Sequence, residues 1–257
     1  VSRYSFGDTN EASERLHIID KMFGPSSRKF IKEAGKSRVP LALDLGCGPG
    51  NTTRMIAEEL HPDEVVGIDI SSSHLSRANT LKNITFIQHD VTQPPFPTDA
   101  PTLIYARYLL THLPDVKRVV ENWVEELQSG GQILLEENLW IDSNHPVIIQ
   151  YLEIVADLIK HNGGDLYSGR QFHGLSEIPN IEITHHDVEK VSPPVELVAQ
   201  SFCLNFRIWK QHPFITERYE PGFLNEMAEQ LQSLQREPGD TVIEWGMSQL
   251  AIEKVEK

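Results

Sequence analysis

Cysteine is scarce: the 257 residues hold only Cys47 and Cys203, far apart in the chain, with the first inside a glycine-rich turn. Such a pair supports no disulfide framework. No stretch approaches the run of about eighteen apolar residues that a spanning helix needs. The first thirty residues are too charged for a secretory signal, so a cytoplasmic protein without a membrane partner is expected. Positive charge is also short, with 23 Lys and Arg against 37 Asp and Glu for a net charge of -14. Phosphate binding needs the opposite balance, which argues against a nucleic-acid partner. Residues 1–40 differ, carrying eight basic and five acidic residues for a net +3, which leaves -17 for the remainder. Three charges spread over two expected helices read as a solvated face. Internal repeats and low-complexity segments are absent.

What is present is ordinary in bulk and specific in one place. A hydrophobic content of 39% and a charged content of 23% suit a globular chain long enough for one large α/β domain. The specific place is Leu41-Ala42-Leu43-Asp44-Leu45-Gly46-Cys47-Gly48-Pro49-Gly50. It reads as a buried strand entering a glycine turn, where absent side chains let the backbone bend sharply and a ligand approach. Met55, Ile56 and Leu60 then mark one face of a helix that His61-Pro62 ends. A strand, turn and helix in this order are expected to aim free backbone N–H groups at a polar ligand. Nineteen residues past Gly50, the run Val65-Val66-Gly67-Ile68-Asp69 reads as a second strand ending in a carboxylate suited to a ribose diol.

Further elements follow from pattern. Asp8 with Glu11 forms a candidate capping box for a helix carrying Leu16, Ile19, Met22 and Phe23. Gly24-Pro25-Ser26-Ser27 should end it before a second helix with Phe30 and Ile31. Ser71-Ser72-Ser73 should cap a helix holding Leu75, Ala78 and Leu81. Strands are expected over 84–88, 102–106, 133–135, 181–191 and 241–252, with the fifth ending at Glu136-Glu137-Asn138. Val116, Val119, Val120, Trp123, Val124 and Leu127 give the clearest helical period, and Val147 to Ile159 give another. Residues 193–238 are helical in character and rich in aromatics, a candidate substrate lid or simply core. His185, His186 and Asp187 make a poor metal site, because neighbouring strand residues face opposite ways. No metal is expected.

The dinucleotide fingerprint G-x-G-x-x-G is not matched, since the third glycine comes one residue early. The acid, one residue, then G-x-G-x-G from Asp44 to Gly50 instead resembles motif I of the class I S-adenosylmethionine (SAM) dependent methyltransferases. The resemblance covers residues 40–137, and Arg107-Tyr108-Leu109-Leu110-Thr111-His112-Leu113-Pro114-Asp115 resembles the family segment that closes the methionine end of the cofactor site. It implies a Rossmann-like, doubly wound, seven-stranded and mostly parallel sheet with the last strand antiparallel. It also implies one methyltransferase domain, with N-terminal cap helices over 1–38, a SAM-binding core over 39–140, and remaining strands with a helical substrate cap over 141–257.

The cofactor residues the resemblance implies are Tyr4, Asp44, Gly46, Cys47, Gly48, Gly50, Thr52, Asp69, Ile70, Asp90, Val91 and Arg107. Asp90 would accept from the adenine amino group. Tyr4 is equally a staple against the helix after it, and His112 equally a structural histidine. If the acceptor needs a base, His112, Tyr108 and His173 are the candidates, with no spacing argument to choose among them. The implied reaction carries a methyl group from SAM to O, N or C of a small molecule and leaves S-adenosylhomocysteine. Two rivals remain: a SAM-binding regulatory protein without catalysis, and a nicotinamide-dependent oxidoreductase. The acidic balance hints at a neutral or cationic acceptor, and the aromatic cap at a partly apolar one. Oligomeric state is unreadable.

Overall fold

A computed structural model describes residues 10–78 and 81–256. Seven strands form one sheet: β1 (Leu41–Leu45), β2 (Glu64–Asp69), β3 (Ile84–Gln88), β4 (Leu103–Arg107), β5 (Gln132–Ser143), β6 (Ile181–Val191) and β7 (Ile243–Lys254), in the order β3-β2-β1-β4-β5-β7-β6. The pairings among β1 to β5 are parallel, and β7 runs antiparallel to both β5 and β6. From β1 the chain winds outward one way through β2 and β3, then the other way through β4 and β5. That reversal opens a crevice beyond the carboxyl ends of β1 and β4, where ligands of such sheets dock.

Helices cover both faces: α1 (Asn10–Ala34), α2 (Asn51–Leu60), α3 (Ser72–Leu75), α4 (Val116–Glu126), α5 (Pro146–His161), α6 (Val195–Trp209), α7 (Pro213–Thr216) and α8 (Pro221–Arg236). The α4 stripe is buried as its period predicts, and Trp123 Nε1–H donates to the Val91 carbonyl at 2.9 Å. Helix α4 thereby fixes the chain just beyond β3. A second core lies among α1, α5, α6, α8 and the far ends of β5 and β7. No helix among the described residues is long and apolar enough to cross a membrane.

Three expectations about elements fail. The two expected N-terminal helices are one, because α1 runs through Pro25. Pro25 and Lys21, the residue whose carbonyl an interior proline leaves without its usual helical donor, are both exposed. Phe23, Phe30 and Ile31, each at most 2% exposed, anchor the helix on both sides of the proline. At about 1.5–3 kcal/mol for each buried side chain, they outweigh the ~3 kcal/mol cost of an interior proline. Helix α3 is capped by Ser71, whose Oγ accepts from the His74 N–H, but lasts only one turn. Leu81, expected on its apolar face, is exposed and bridges to Ile84 instead. Strand β5 does not stop at Glu136. Its pairing with β7 runs from Gln132 to Ser143 and buries Glu136, Glu137 and Asn138.

Those polar residues are buried because each is answered. Glu136 accepts from Tyr105 Oη and from Gln249 Nε2, and Asn138 Oδ1 accepts from Trp245 Nε1 at 2.6 Å. Helix α1 is tied across the sheet end. Arg107 on β4 donates to Ser27 Oγ at 2.9 Å and pairs with Asp20 at 3.1 Å, while Gln132 Nε2 donates to the Ala34 carbonyl at 2.9 Å. The candidate cap residue Asp8 lies outside the described residues, as does Tyr4.

Candidate active site

The crevice is a cavity of about 1490 Å³. Its floor is the turn after β1 and its side walls are the loops after β2, β3 and β4. Helices α1, α5 and α6 complete the enclosure. The volume exceeds the roughly 300–1,000 Å³ of a single drug-sized ligand, so two small molecules fit end to end.

The turn is built from behind by Asp44. Its buried carboxylate accepts from the Thr52 and Thr53 hydroxyls at 2.6 Å each, fixing the start of α2 against β1. Burial pushes the Asp44 carboxyl up to about 6, against the pull of the two threonine hydroxyls. Asp44 does not line the cavity, so its part is to shape the turn rather than to touch a ligand there. Gly46, Gly48 and Gly50 adopt φ of 69°, 54° and 83°, the left-handed region that favours glycine. A Cβ on Gly46 would lie 2.9 Å from Leu109, and one on Gly50 would lie 2.7 Å from Phe86.

The turn does not present the free N–H groups expected of it. The Gly46 and Cys47 amides both donate to the Ile68 carbonyl, at 2.8 and 3.1 Å, and the Gly50 amide donates to the Cys47 carbonyl at 3.0 Å. Gly48 N–H donates to Asp69 Oδ2 at 2.9 Å, and Pro49 has no donor. A loop whose amides are spent internally does not cradle a pyrophosphate, which weighs against a dinucleotide.

Asp69, at the tip of β2, is half-buried at the cavity wall. Ser71 N–H holds its Oδ1 at 2.8 Å while Gly48 holds Oδ2, so the carboxylate is fixed and both oxygens keep lone pairs. Beside it Ile70 is 49% exposed at the cavity, an apolar side chain placed to cover a flat ring. Asp90 and Val91 follow β3 on the same wall. Asp90 Oδ1 accepts from the Thr92 amide and hydroxyl, and its other oxygen takes no bond among the described residues. Gly46, Cys47, Gly48, Thr52 and Arg107 also line the cavity, whereas Gly50 does not. Arg107 spends its guanidinium on Ser27 and Asp20 of α1, a tie between floor and lid.

Of the three candidate bases, two are at the cavity. The Tyr108 phenol donates to Met247 Sδ, and its ring packs edge-on to Phe23 with centroids 5.6 Å apart. Burial raises that phenol well above its usual range. His112 lines the cavity, where burial, and after it the charge of Arg15, push the imidazole down to about 3. It is neutral near pH 7. His173 is not at the cavity: it is exposed on the 3-10 helix Ser168–Glu177, with Nδ1 against the Arg170 carbonyl. Its position there removes the reason for choosing it. No group of three or more His, Cys, Asp or Glu among the described residues is arranged to hold a metal.

Sequence patterns missed the cavity's far end. Arg15 from α1, Tyr151 from α5, Ser201 and Asn205 from α6, and Asn138 and Trp245 from β5 and β7 all line it. One signal existed, since Arg15, Ile19 and Met22 fall at i, i+4 and i+7, but a charge on an amphipathic helix reads as solvated.

Similarity to known proteins agrees with this geometry. Residues 42–131 match the family model described as a methyltransferase domain. Trans-aconitate 2-methyltransferase of Rhizobium etli is 34% identical over 128 residues, covering 49% of this chain and 48% of that protein. The same-named protein of Methylobacterium radiotolerans is 38% identical over 106 residues, covering 39% and 40%. The chain thus matches no more than about half the length of these curated relatives. Among solved structures, phosphoethanolamine N-methyltransferase 2 of Haemonchus contortus with bound SAM superposes with a TM-score of 0.60 at 16% identity, over 99% of this chain and 59% of that one. A Bacillus halodurans C-125 protein solved as a candidate methyltransferase gives 0.60 at 17% identity, over 89% and 98%. These structures share the fold, and residues 42–131, which hold the glycine turn and the β2 acid, match the methyltransferase-domain model.

Proposed function

We propose that this protein transfers a methyl group from SAM to a small molecule held in the same cavity, leaving S-adenosylhomocysteine. The observation that carries the reading is the Asp69 carboxylate, fixed by the Gly48 and Ser71 amides and turned to the wall of a cavity large enough for two ligands. Asp69 would bind the sugar hydroxyls. Ile70 and Val91 would flank the base, Asp90 would accept from its amino group, and the Gly46–Gly48 backbone would bound the amino-acid end. When bound, SAM supplies a methyl already activated by a neighbouring positive charge.

The chain's own work is then positioning and exclusion of water. Helix α1 covers the turn: a Cβ on Gly48 would lie 3.1 Å from Leu16, and Asn51 Nδ2 donates to the Leu16 carbonyl at 3.4 Å. An enclosed cavity of this kind suits a small acceptor better than a macromolecule. The curated relatives are named for trans-aconitate, which makes a carboxylic acid the acceptor class to assay first.

The test is calorimetry of SAM and NADH on the intact chain, followed by measurement of S-adenosylhomocysteine formation over a panel of acceptors. SAM binding with no NADH binding and product formation with at least one acceptor are expected. Binding without product would favour a regulatory SAM-binding protein, and absence of SAM binding would end the reading.

A further inference from the structure

Helix α6 turns a row of uncharged polar side chains toward the far end of the cavity. Ser201, Asn205 and Trp209 fall at i, i+4 and i+8, so they share one face of the helix, and all three are buried. Tyr151 of α5, 1% exposed, meets this face with its ring centroid 5.7 Å from that of Trp209. Ser201, Asn205 and Tyr151 line the cavity, and Trp209 does not. Three polar atoms here are buried without a hydrogen bond among the described residues: Tyr151 Oη, Asn205 Oδ1 and Trp209 Nε1. Burial raises the Tyr151 phenol above its usual range, and Trp209 and Asn205 beside it oppose that shift, yet no two of the three meet in hydrogen-bond geometry. Buried polar groups are ordinarily answered, as Glu136 and Asn138 are on β5. A cluster of three left unanswered at a cavity wall asks for a partner from the cavity side.

The chemistry of the set selects that partner. It is neutral and offers both roles: the Tyr151 and Ser201 hydroxyls donate or accept, and the Asn205 carboxamide accepts at oxygen and donates at nitrogen. A hydroxyl or carboxamide of a ligand answers such a set. A methyl group leaves it unpaired, and an ion loses its water to groups that carry no charge. Arg15, at the same end, is engaged within the chain and is not part of this set. The walls are aromatic: Phe202 stacks on Tyr151 with centroids 4.0 Å apart, and Phe23 packs edge-on to Trp245 at 5.0 Å, all four at the cavity. Such walls favour a flat apolar body. The whole-chain charge of -14, which hinted at a neutral or cationic acceptor, agrees. Helices α5 and α6 lie outside the residues 42–131 that match the methyltransferase-domain model, so this end is free to differ from that of the relatives.

Building on the methyl-transfer reading, we infer that the acceptor is a flat, largely apolar molecule bearing an uncharged hydroxyl or carboxamide, which Asn205 and Tyr151 receive with Ser201 beside them. The experiment titrates the intact chain, with and without S-adenosylhomocysteine, using four probes of one skeleton: cinnamyl alcohol, cinnamamide, cinnamate and trans-β-methylstyrene. The alcohol or the amide should bind about tenfold or more tighter than the methyl analogue, and cinnamate should bind more weakly than the better of those two. Asn205→Leu should abolish the preference over the methyl analogue, and Tyr151→Phe should reduce it. Affinity for S-adenosylhomocysteine should change less than about threefold in both variants. The Tyr151→Phe protein should melt within a few degrees of the parent, because the substitution removes no hydrogen bond from the free chain.

Equal binding of the alcohol, the amide and the methyl analogue overturns the inference, as does cinnamate binding tighter than both neutral probes or a failure of all four to bind. A folded Asn205→Leu protein that keeps the preference overturns it as well. So does a Tyr151→Phe protein that melts many degrees lower, since its hydroxyl would then have a partner inside the free chain. Failure to bind S-adenosylhomocysteine strikes the methyl-transfer reading instead, and the titrations of the unloaded chain still decide what this end of the cavity receives.

Discussion

Gly48 N–H donates to Asp69 Oδ2 at 2.9 Å, joining the turn after β1 to the carboxylate at the tip of β2. The same acid that would grip a sugar therefore also braces the turn. Asp69→Ala should weaken SAM binding on the order of 100-fold, the ~2–3 kcal/mol expected for lost charge-assisted hydrogen bonds. Asp69→Asn should fall between. Calorimetry checks this, with circular dichroism to confirm folding, and an unchanged affinity in a folded Asp69→Ala protein would remove Asp69 from the site.

Gly67 lies in β2 beneath the Phe86 ring, and a Cβ there would sit 2.6 Å from Phe86 Cδ1 and 3.0 Å from Cys47 Sγ. Gly67→Ala should destabilise by ~1–3 kcal/mol through overpacking. Adding Phe86→Leu should recover part of that loss. Denaturant midpoints measure both, and additive losses in the double variant would show that the ring is not the obstacle.

Glu137 is buried in β5, accepting from the Leu110 amide at 2.7 Å and from Ser168 Oγ at 2.9 Å. Burial nevertheless raises its carboxyl from 4.5 to about 7. Between those two values the folded chain holds a proton that the unfolded chain releases, so this group lowers stability as pH rises through the window. Below 4.5 and above 7 its contribution is flat. Asp44, raised from 3.8 to about 6, acts in the same direction at lower pH. Glu137→Gln should therefore lose less stability than the parent between pH 5 and 7.5, by at most ~3 kcal/mol. Denaturant titrations at the two pH values check it, and parallel slopes would contradict the assignment.

His112, held neutral by burial and the nearby Arg15 charge, titrates at about 3. The pH profile of turnover should show no acid limb near the ordinary histidine value of about 6.5 that His112→Asn removes. A limb that vanishes in that variant would mean that the imidazole is far more accessible to water than its place at the cavity implies.

Much of the glycine-turn half was legible because its signals are local. The apolar run of Leu41–Leu45, the spaced glycines and the acid closing Val65–Asp69 each state their own geometry, and the sheet follows from their order. Where local rules met distant packing, they lost. Gly24-Pro25 looks like a break, yet Phe23 and Phe30 bury on either side and keep α1 whole. Glu136-Glu137-Asn138 looks like a strand end until β7 arrives with Gln249 and Trp245 to answer Glu136 and Asn138. Arg15 was invisible for a similar reason, since only α6, nearly two hundred residues on, turns its face from solvent into a cavity wall.

The antiparallel β7 lies between β5 and β6, although both precede it in the chain. Until β7 inserts, the ribosome has already released two strands with open edges, one of them carrying Glu136 without its Gln249 partner. Those edges are adhesive to other chains in that interval. Pulse-labelled hydrogen exchange should see the amides of β6 become protected no earlier than those of β7, because β6 pairs with no strand but β7.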